Sequence, residues 1–438
     1  MTTKSVDREA PTQGAIVIHP QRDARGSARS PQARLAEAIG LALALDLDIR
    51  DGIIAPLRGR TPATLFGSGK VKEIAALCEN LEADVAIVDD ALTPVQQRNL
   101  EKAWQVKVID RNGLILEIFA RRARTSEGRL QVELARLSYE KSRLVRTWTH
   151  LERQRGGFGV MGGPGETQIE TDRRLIAEKI SKLKKDLVEV RRTRTLQRAA
   201  RQRAPVPSVA LVGYTNAGKS TLFNRLTESD VVAQDMLFAT LDPTLRTLKL
   251  PDGRPAILSD TVGFISDLPH ELVEAFRATL EEVKEADVIL HVRDISSPET
   301  AAQAQDVRTV LARLGVELDG RRLVEVWNKI DLLDDDAREE VESEARRTLN
   351  QAVAVSSVTG EGCEALLLAV AKLVDETAPV EIHAPAGEGA AIAWLYRHGR
   401  VIDRETESDG GTRLAVRLSD QAMGQFEQLF PQAALTIH

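Results

Sequence analysis

The sequence predicts an α/β protein of several domains, in which a long helical hairpin separates two domains with parallel sheets. Its 438 residues are more than one domain normally holds. On both sides of the middle segment, short apolar strand-like runs alternate with helix-like runs, a pattern typical of mainly parallel sheets. The middle segment has heptad spacing and no strand-like runs, which predicts long helices.

Composition excludes several classes of protein. Hydrophobic residues make up 42% and charged residues 28%, which excludes a largely disordered chain. The two cysteines, Cys78 and Cys363, are too few for a disulfide framework or a four-cysteine zinc site, and we expect buried thiols. No apolar stretch is long enough to span a membrane, and the first residues lack the apolar core of a signal peptide. We therefore expect a cytoplasmic protein without stable membrane insertion.

The first elements in order predict an N-terminal α/β domain over residues 14–120. Residues 1–30 are expected to be mostly a flexible tail with one short strand at 15–18. The Gly67-Ser-Gly69-Lys70 run resembles a phosphate loop but is shorter, so we expect a plain helix start there. Helices are predicted at 33–45, 71–81, 94–104 and around 114–119, a short extended run within 48–56, a buried strand at 84–88 and a further extended run at 106–109.

Residues 121–203 predict an antiparallel helical hairpin with a glycine-rich loop at its tip. Apolar residues recur at steps of 3, 4 and 7 from Leu130 to Leu151 and again from Ile176 to Val190, which defines two helical seams. Six glycines and Pro164 between the seams forbid one continuous helix. The segment holds 22 Lys and Arg against 10 Asp and Glu, although the whole chain carries −6. Such a basic insert indicates either a polyanion-binding surface or a solvated helical face.

Strands and helices alternate again over residues 204–378, which predicts a domain with a mainly parallel sheet. A small α+β domain is expected over 380–438, with strands near 391–396 and 412–417 and a helix at 419–429. The apolar strand cores of the larger domain lie at 208–212, 256–259, 288–292, 323–327 and 353–355.

A complete phosphate-binding loop, Gly213-Tyr-Thr-Asn-Ala-Gly218-Lys219-Ser220, follows the first of these strands. Its glycines let successive N–H groups face phosphate, and the following helix contributes its positive end. We expect Lys219 to bridge the β- and γ-phosphates and Ser220 to bind Mg²⁺.

Three further signatures follow in order at the ends of later strands. Asp260-Thr-Val-Gly263 supplies a carboxylate that holds Mg²⁺ through water and a glycine N–H for the γ-phosphate. In Asn328-Lys-Ile-Asp331 the final carboxylate can accept the N1–H and the amine of guanine, whereas adenine would leave it unpaired. The Ser356-Ser-Val-Thr-Gly360 turn brings backbone amides near guanine O6. Together the four signatures predict a GTPase domain.

Longer motifs resemble one family. GGFGVMGGPGETQIETDRR (156–174), LFATLDPT (237–244) and the stretch from Val108 to Leu137 are similar to the HflX family of ribosome-associated GTPases. The resemblance implies binding to the large ribosomal subunit and its rRNA, and dissociation or anti-association of the subunits under stress. It also implies that Thr240 contacts Mg²⁺ and the γ-phosphate. The GTP-binding residues expected in all are Gly213, Tyr214, Thr215, Asn216, Ala217, Gly218, Lys219, Ser220, Thr221, Thr240, Asp260, Gly263, Asn328, Lys329, Asp331, Ser356 and Ser357.

Two residues bear on hydrolysis. Phe264 stands where Ras-like GTPases place a glutamine that orients the attacking water, and a phenyl ring cannot do so. We therefore expect slow hydrolysis by the isolated protein and stimulation by the large subunit. Asn216 resembles an asparagine that helps to bind K⁺ in some relatives, and the alternative is that it only tolerates the dihedral angles of the loop.

The basic hairpin is expected to contact ribosomal RNA, with a solvated helical face as the alternative. Two other functions stay open: a nucleotide-dependent RNA-remodelling enzyme, since the resemblance leaves an ATP-linked role for the N-terminal domain, and a GTP-gated adaptor of a protein or membrane complex. We expect a monomer, with peripheral membrane association left open. The candidate RNA-binding residues are Arg153, Arg155, Phe158, Arg173 and Arg174.

Overall fold

The structure is a computed structural model. It describes residues 12–22, 29–57, 59, 61–154, 164–201, 206–229, 237–238, 240–241, 244–267, 282–313, 315–316, 323–348, 352–374, 380–407, 410–418 and 420–436.

The N-terminal sheet is parallel, with the strand order β2-β1-β3-β4. The strand predicted at 15–18 is longer than expected. It lies between two other strands of the sheet, and almost all its residues are buried. The run from Gly67 to Lys70 leads into a helix, as expected of a plain helix start. The elements are β1 (Gly14–Gln21), α1 (Pro31–Leu43), β2 (Asp48–Pro56), α2 (Ser68–Asn80), β3 (Val85–Val88), α3 (Pro94–Trp104), β4 (Lys107–Asp110) and α4 (Arg111–Arg122).

Two long helices, α5 (Ser126–Gln154) and α6 (Pro164–Arg201), form the predicted hairpin and contact each other. Leu137, Ile180 and Leu187 of the two predicted seams are buried. The predicted tip, with Arg155 and Phe158, lies outside the described residues, as does the side chain of Arg153.

A buried carboxylate attaches the hairpin to the N-terminal sheet. Asp110 accepts hydrogen bonds from Tyr139 Oη at 2.6 Å and from the Arg143 guanidinium at 2.7 Å, and both donors lie on α5. Arg143 also lies over the Tyr139 ring, with its Cζ 4.3 Å from the centroid. Arg143 therefore belongs to the packing of the hairpin and is not a free basic side chain.

The larger sheet has the order β10-β9-β8-β5-β7-β6, and all its pairs are parallel except β6 with β7. All five predicted strands are present. The edge strand β6 was missed, since TLRTLK has few apolar residues. The elements are β5 (Ser208–Gly213), α7 (Lys219–Thr227), β6 (Thr244–Lys249), β7 (Pro255–Asp260), β8 (Val288–Asp294), α8 (Thr300–Arg313), β9 (Leu323–Asn328), α9 (Asp335–Arg347), β10 (Ala352–Ala354) and α10 (Cys363–Val374).

The C-terminal part is a four-stranded antiparallel sheet with two helices, in the order β12-β13-β11-β14. The strand predicted near 391–396 is wrong: the segment is helical, and Ala391 and Leu395, four residues apart, are buried on one face with Phe426. The strand at 412–417 and the following helix are confirmed. The elements are β11 (Val380–Ala384), α11 (Gly389–His398), β12 (Arg400–Thr406), β13 (Thr412–Arg417), α12 (Asp420–Leu429) and β14 (Ala434–Thr436). None of the described helices is both long and apolar enough to cross a membrane.

One hydrophobic core joins the N-terminal domain to the larger sheet. Leu41 of α1 and Phe119 of α4 belong to the same buried cluster as Phe238, Val262 and Phe264. The rings of Phe119 and Phe238 meet edge to face at a centroid distance of 4.6 Å. The two regions therefore share one continuous buried core.

Glu37 is the centre of a polar network within this interface. Its carboxylate accepts hydrogen bonds from Tyr214 Oη, from Ser266 Oγ at 3.0 Å, from Arg29 at 3.0 Å and from Arg111 at 2.5 Å. Burial opposes the charge of Arg111, but the neighbouring carboxylates outweigh it and raise its pKa above the ordinary value. The network thus joins ion pairs within the N-terminal domain to hydrogen bonds from Tyr214 and Ser266 across the interface.

His291, in the middle of β8, is a buried imidazole outside this interface. It is 1% exposed, and neither ring nitrogen has a hydrogen-bond partner among the described residues. Its Nδ1 lies 4.0 Å from Glu325 Oε1, beyond hydrogen-bond reach. Burial lowers its pKa to about 4, although Glu325 partly opposes that shift.

The neutral state of His291 predicts a loss of stability in mild acid. The unfolded chain binds more protons than the folded chain between pH 6.5 and about 4, so this contribution to stability falls as the pH falls through that range. We expect His291→Leu to reduce the difference between the urea midpoints at pH 7 and pH 5, followed by tryptophan fluorescence. His383→Gln, at a half-exposed position, is the control. An equal acid-induced drop in His291→Leu and the wild type would contradict the assignment.

Candidate nucleotide-binding site

The predicted phosphate loop connects β5 to α7 at the carboxyl edge of the larger sheet. Gly218 has a φ of +90°, and a Cβ there would lie 2.2 Å from Asn328 Nδ2, so a side chain does not fit. Asn216 is exposed and has a φ of +60°, a conformation that asparagine tolerates better than most residues. The backbone therefore explains Asn216 without a cation, and the role in K⁺ binding stays a prediction.

Lys219 is a buried ammonium at the start of α7. Its Nζ donates to the carbonyl oxygens of Gly213 at 3.1 Å and Tyr214 at 2.8 Å, which folds the side chain back over the loop. Burial lowers the pKa of Lys219 to about 8, and the nearby Asp260 only partly opposes this shift. An anion bound in the loop would supply the missing negative charge.

Three oxygen-bearing side chains meet beside Lys219. Asp260 Oδ2 accepts hydrogen bonds from Ser220 Oγ at 2.8 Å and from Thr240 Oγ1 at 2.9 Å. The two hydroxyl oxygens are themselves 2.8 Å apart. Burial raises the pKa of Asp260 above its usual value, although Lys219 and both hydroxyls lower it.

This cluster has the donor chemistry that Mg²⁺ prefers. Asp260 Oδ1 is buried and has no hydrogen-bond partner among the described residues, so one lone-pair side of the carboxylate is unused. Mg²⁺ favours carboxylate and hydroxyl oxygens and keeps several waters, which suits a carboxylate that acts through water. The residues present therefore fit the cation, with Ser220 and Thr240 as direct donors.

The turn after β7 lies against the phosphate loop. A Cβ at Gly263 would lie 2.9 Å from Thr215 Cγ2 and 3.0 Å from Lys219 Nζ, so only glycine fits there. Phe264 continues the contact through its backbone, since its N–H donates to Gly213 O at 3.1 Å and its carbonyl accepts from Thr215 N at 2.7 Å. Its ring is 3% exposed and packs in the shared core.

Asn328 connects the phosphate loop to the base-recognition loops. Its Nδ2 donates to Ala217 O at 2.8 Å, and its Oδ1 accepts from Ser357 N at 3.0 Å. Lys329 has a φ of +70° and an ion pair with Asp294 at 2.8 Å. Asp331 follows in the 3₁₀ turn Ile330–Leu332, where it is exposed and therefore accessible to a base.

The loop at 356–360 differs in one detail from the sequence-based expectation. Ser356 and Ser357 are both buried, but the Ser357 N–H is already used by Asn328. The next amide, that of Val358, has no acceptor among the described residues. The donor left for a base is therefore the Val358 N–H, which sequence reasoning did not single out.

The side chain of Tyr214 contacts the N-terminal domain, although the residue belongs to the predicted phosphate loop. The Tyr214 hydroxyl accepts from Ser266 N at 2.9 Å and donates to Glu37, so the ring belongs to the domain interface and only its carbonyl serves Lys219. Thr215 Oγ1 is buried without a partner among the described residues, while Thr221 lies half-buried on α7. Glu37 and Ser266 could not be found from the sequence, because their positions match no nucleotide-binding signature.

Of the candidate RNA-binding residues, Arg173 and Arg174 have described side chains, and they lie on the hairpin and not in the nucleotide site. Arg173 and Arg174 are exposed on α6, and Arg174 Nε lies 3.8 Å from Glu178 Oε1 one turn away. Such an exposed pair contributes little to stability and leaves the arginines available to a polyanion.

Comparison with known proteins adds evidence on the nucleotide site and on the hairpin. Profiles described as "GTP-binding GTPase N-terminal", "GTP-binding GTPase Middle Region", "50S ribosome-binding GTPase" and "HflX C-terminal domain" match residues 32–120, 122–201, 208–329 and 341–433. GTPase HflX of Magnetococcus marinus is 52% identical over 397 residues, 90% of each chain. GTPase HflX of Escherichia coli is 46% identical over 360 residues, 82% of this chain and 83% of that one. A structure of a Sulfolobus solfataricus GTP-binding protein with GDP aligns with 83% of this chain and 99% of that chain, at 24% identity and a TM-score of 0.45.

The buried state of Lys219 predicts proton uptake when a nucleotide binds in alkaline solution. With a pKa of about 8 the amine is partly neutral above that pH, and a bound phosphate favours its charged form. We expect GDP affinity to fall progressively above pH 8, and calorimetry at pH 8.5 in buffers of different ionisation enthalpy to show uptake of a fraction of a proton. Lys372→Ala, on the distant helix α10, is the control. No proton uptake at pH 8.5 would contradict the assignment.

Proposed function

The chain belongs to the HflX family of GTPases, and from this premise we propose that it binds the ribosome through the large subunit and separates the subunits or keeps them apart. GTP binding is the switch in this proposal, and hydrolysis is the step that releases the protein. The observation that carries it is the convergence of Lys219, Ser220, Thr240 and Asp260 at one point, on a chain that also carries an exposed basic hairpin.

The site performs its chemistry by binding and orienting the nucleotide. The phosphate loop and Lys219 hold the phosphates, while Ser220, Thr240 and Asp260 hold Mg²⁺, the last through water. When bound, the cation would neutralise charge on the β- and γ-phosphates. Thr240 bonds Ser220 and Asp260, and these contacts support its assignment as the residue that detects a γ-phosphate. Asn216 is the residue that we assign to K⁺, if a monovalent cation assists.

In this proposal guanine is selected by the Asp331 carboxylate, which accepts hydrogen bonds, and by the Val358 N–H, which donates one. Asp331 is exposed three residues after Asn328, which contacts the phosphate loop, and its carboxylate can accept both the N1–H and the exocyclic amine of guanine. Adenine offers no donor at N1 and no amine at C2, so it would leave the carboxylate without partners.

Hydrolysis by the isolated protein is expected to be slow. Phe264 cannot orient water, and its ring is buried in the same core cluster as Phe119. Phe264 directly follows Gly263, so the position that holds the water-orienting glutamine in Ras-like GTPases has no polar side chain. We therefore assign the missing group to the large subunit or to a cation, and stimulation by the large subunit is part of the proposal.

The ribosome contact is assigned to the hairpin. Its segment carries 22 basic against 10 acidic residues, and the profile matched by 208–329 is described as a 50S ribosome-binding GTPase. Arginine suits rRNA because it pairs with phosphates and stacks on unpaired bases. The proposed RNA contacts are Arg153, Arg155, Phe158, Arg173 and Arg174, and the place of action is the cytoplasm, with the protein as a monomer.

The guanine assignment predicts a change of base preference. Asp331→Asn replaces the double acceptor and should weaken GDP binding by roughly 3–6 kcal/mol if two charge-assisted bonds are lost. Xanthosine diphosphate should then bind better than GDP, as measured by competition with a fluorescent nucleotide. Asp335→Asn, on the neighbouring helix α9, is the control. Unchanged GDP affinity in Asp331→Asn would remove the assignment.

The hairpin assignment predicts that ribosome binding and nucleotide chemistry can be separated. Replacing Arg173 and Arg174 by Gln should weaken co-sedimentation with large subunits and reduce its log-salt slope, by about 0.7–0.9 for each phosphate that is no longer neutralised. Deleting residues 157–163 should reduce ribosome-stimulated turnover and subunit splitting. Intrinsic GTP hydrolysis should be nearly unchanged in both variants, because the phosphate loop lies in another domain.

The matched control is Arg346→Gln with Arg347→Gln, an exposed arginine pair on α9. If the hairpin variants split ribosomes normally and keep the wild-type salt slope, the hairpin is a spacer with a solvated basic face. Stimulation by RNA duplex without ribosomes would favour an RNA-remodelling enzyme instead.

A further inference from the structure

Arg225 lies on α7, the helix that begins at the phosphate loop, yet it contacts the loop assigned to the base. Its Nε donates to Ser357 O at 3.3 Å, and its Nη2 donates to Val358 O. The guanidinium also lies close to Gly360, where a Cβ would be 3.6 Å from Arg225 Nη1. One side chain thus joins the phosphate-binding helix to two consecutive carbonyl groups of the 356–360 loop.

These contacts fix the direction of one particular peptide. In a trans peptide the C=O and the following N–H point in opposite directions. Because Arg225 holds the Ser357 carbonyl, the Val358 N–H points away from Arg225 and α7. This N–H is the one that has no acceptor among the described residues.

The rest of the loop is held by other bonds, so the Ser357–Val358 peptide is the part that depends on Arg225. Gly360 N donates to Ser356 O at 2.8 Å, and Ser356 N donates to Glu361 O at 2.9 Å. On the opposite side, Ser357 N is held by Asn328, at 3.0 Å. Neither set of bonds involves the Ser357 carbonyl.

We propose that Arg225 is a positioning residue for base selection, which orients the Val358 N–H toward the O6 atom of a bound guanine. Adenine carries an amine at that place, and a donor facing a donor disfavours it. Arg225 lies six residues after Lys219 on α7, so about 9 Å of helix separates the lysine of the phosphate loop from the arginine that contacts the 356–360 loop. This inference rests on the proposed placement of guanine between Asp331 and the 356–360 loop.

The test compares GDP with 6-thio-GDP, which keeps the N1–H and the amine but replaces O6 by a poorer acceptor. Affinities are measured by competition with a fluorescent GDP for the wild type, Arg225→Ala and Arg225→Lys. We expect the wild type to bind 6-thio-GDP about tenfold more weakly than GDP, the equivalent of one hydrogen bond.

In Arg225→Ala we expect weaker GDP binding, nearly unchanged 6-thio-GDP binding and therefore a ratio of affinities close to one. Arg225→Lys keeps a cation and should give an intermediate ratio. Arg246→Ala removes an exposed arginine on β6 and is the control that should keep the wild-type ratio.

An equal loss of affinity for both nucleotides in Arg225→Ala would overturn the proposal, because a merely structural role affects both alike. A wild-type ratio near one would overturn it as well. The guanine site itself is tested separately by Asp331→Asn. If that variant prefers xanthosine diphosphate while Arg225→Ala keeps the wild-type ratio, the assignment of Asp331 stands and the role of Arg225 falls.

Discussion

The buried carboxylate of Glu37 is the interaction on which the arrangement of the first two-thirds of the chain depends. It lies in the N-terminal domain, but two of its donors, Tyr214 and Ser266, come from the phosphate loop and from the turn after β7. A buried charge is costly when its hydrogen bonds are lost, so displacement of the larger sheet would leave Glu37 with its ion pairs to Arg29 and Arg111 but without the bonds from Tyr214 and Ser266. The phosphate loop and the turn after β7 are therefore both bound to one side chain of the N-terminal domain.

The nucleotide site shows the opposite situation, in which charge is left incomplete. The Lys219 ammonium donates to two backbone carbonyls, which carry no full charge, and Asp260 keeps one oxygen unpaired among the described residues. Burial moves their pKa values toward the neutral forms, downward for Lys219 and upward for Asp260, although each group partly opposes the shift of the other. The interface around Glu37 and the incompletely paired charges of Lys219 and Asp260 suit a site that is preorganised to bind an anion and a cation.

Much of the site could be predicted from the sequence, because each signature has a local physical cause. Gly218 and Gly263 leave no room for a Cβ, and Asp260, Asn328 and the 356–360 loop follow strands whose apolar cores are plain in the sequence. Contacts between distant segments could not be predicted, since nothing near Glu37 or Arg225 indicates a partner more than 100 residues away. The sequence-based prediction missed the weakly apolar β6 and assigned a strand to the helix around Leu395. In both elements tertiary packing outweighs the local sequence pattern.

The interface between the N-terminal domain and the larger sheet also affects how the chain folds as it is made. Arg111 and the Ser266 carbonyl that it contacts are 155 residues apart, so the N-terminal sheet is complete long before its partner exists. At translation rates of about 5–20 residues per second, that separation corresponds to roughly 8–30 s. During this interval the apolar surface around Leu41 and Phe119 lacks the side chains that cover it in the complete fold, and Glu37 lacks the hydrogen bonds from Tyr214 and Ser266. The nascent N-terminal domain is thus a natural client for chaperones that bind exposed apolar surface, until β5 and β7 are synthesised and cover it.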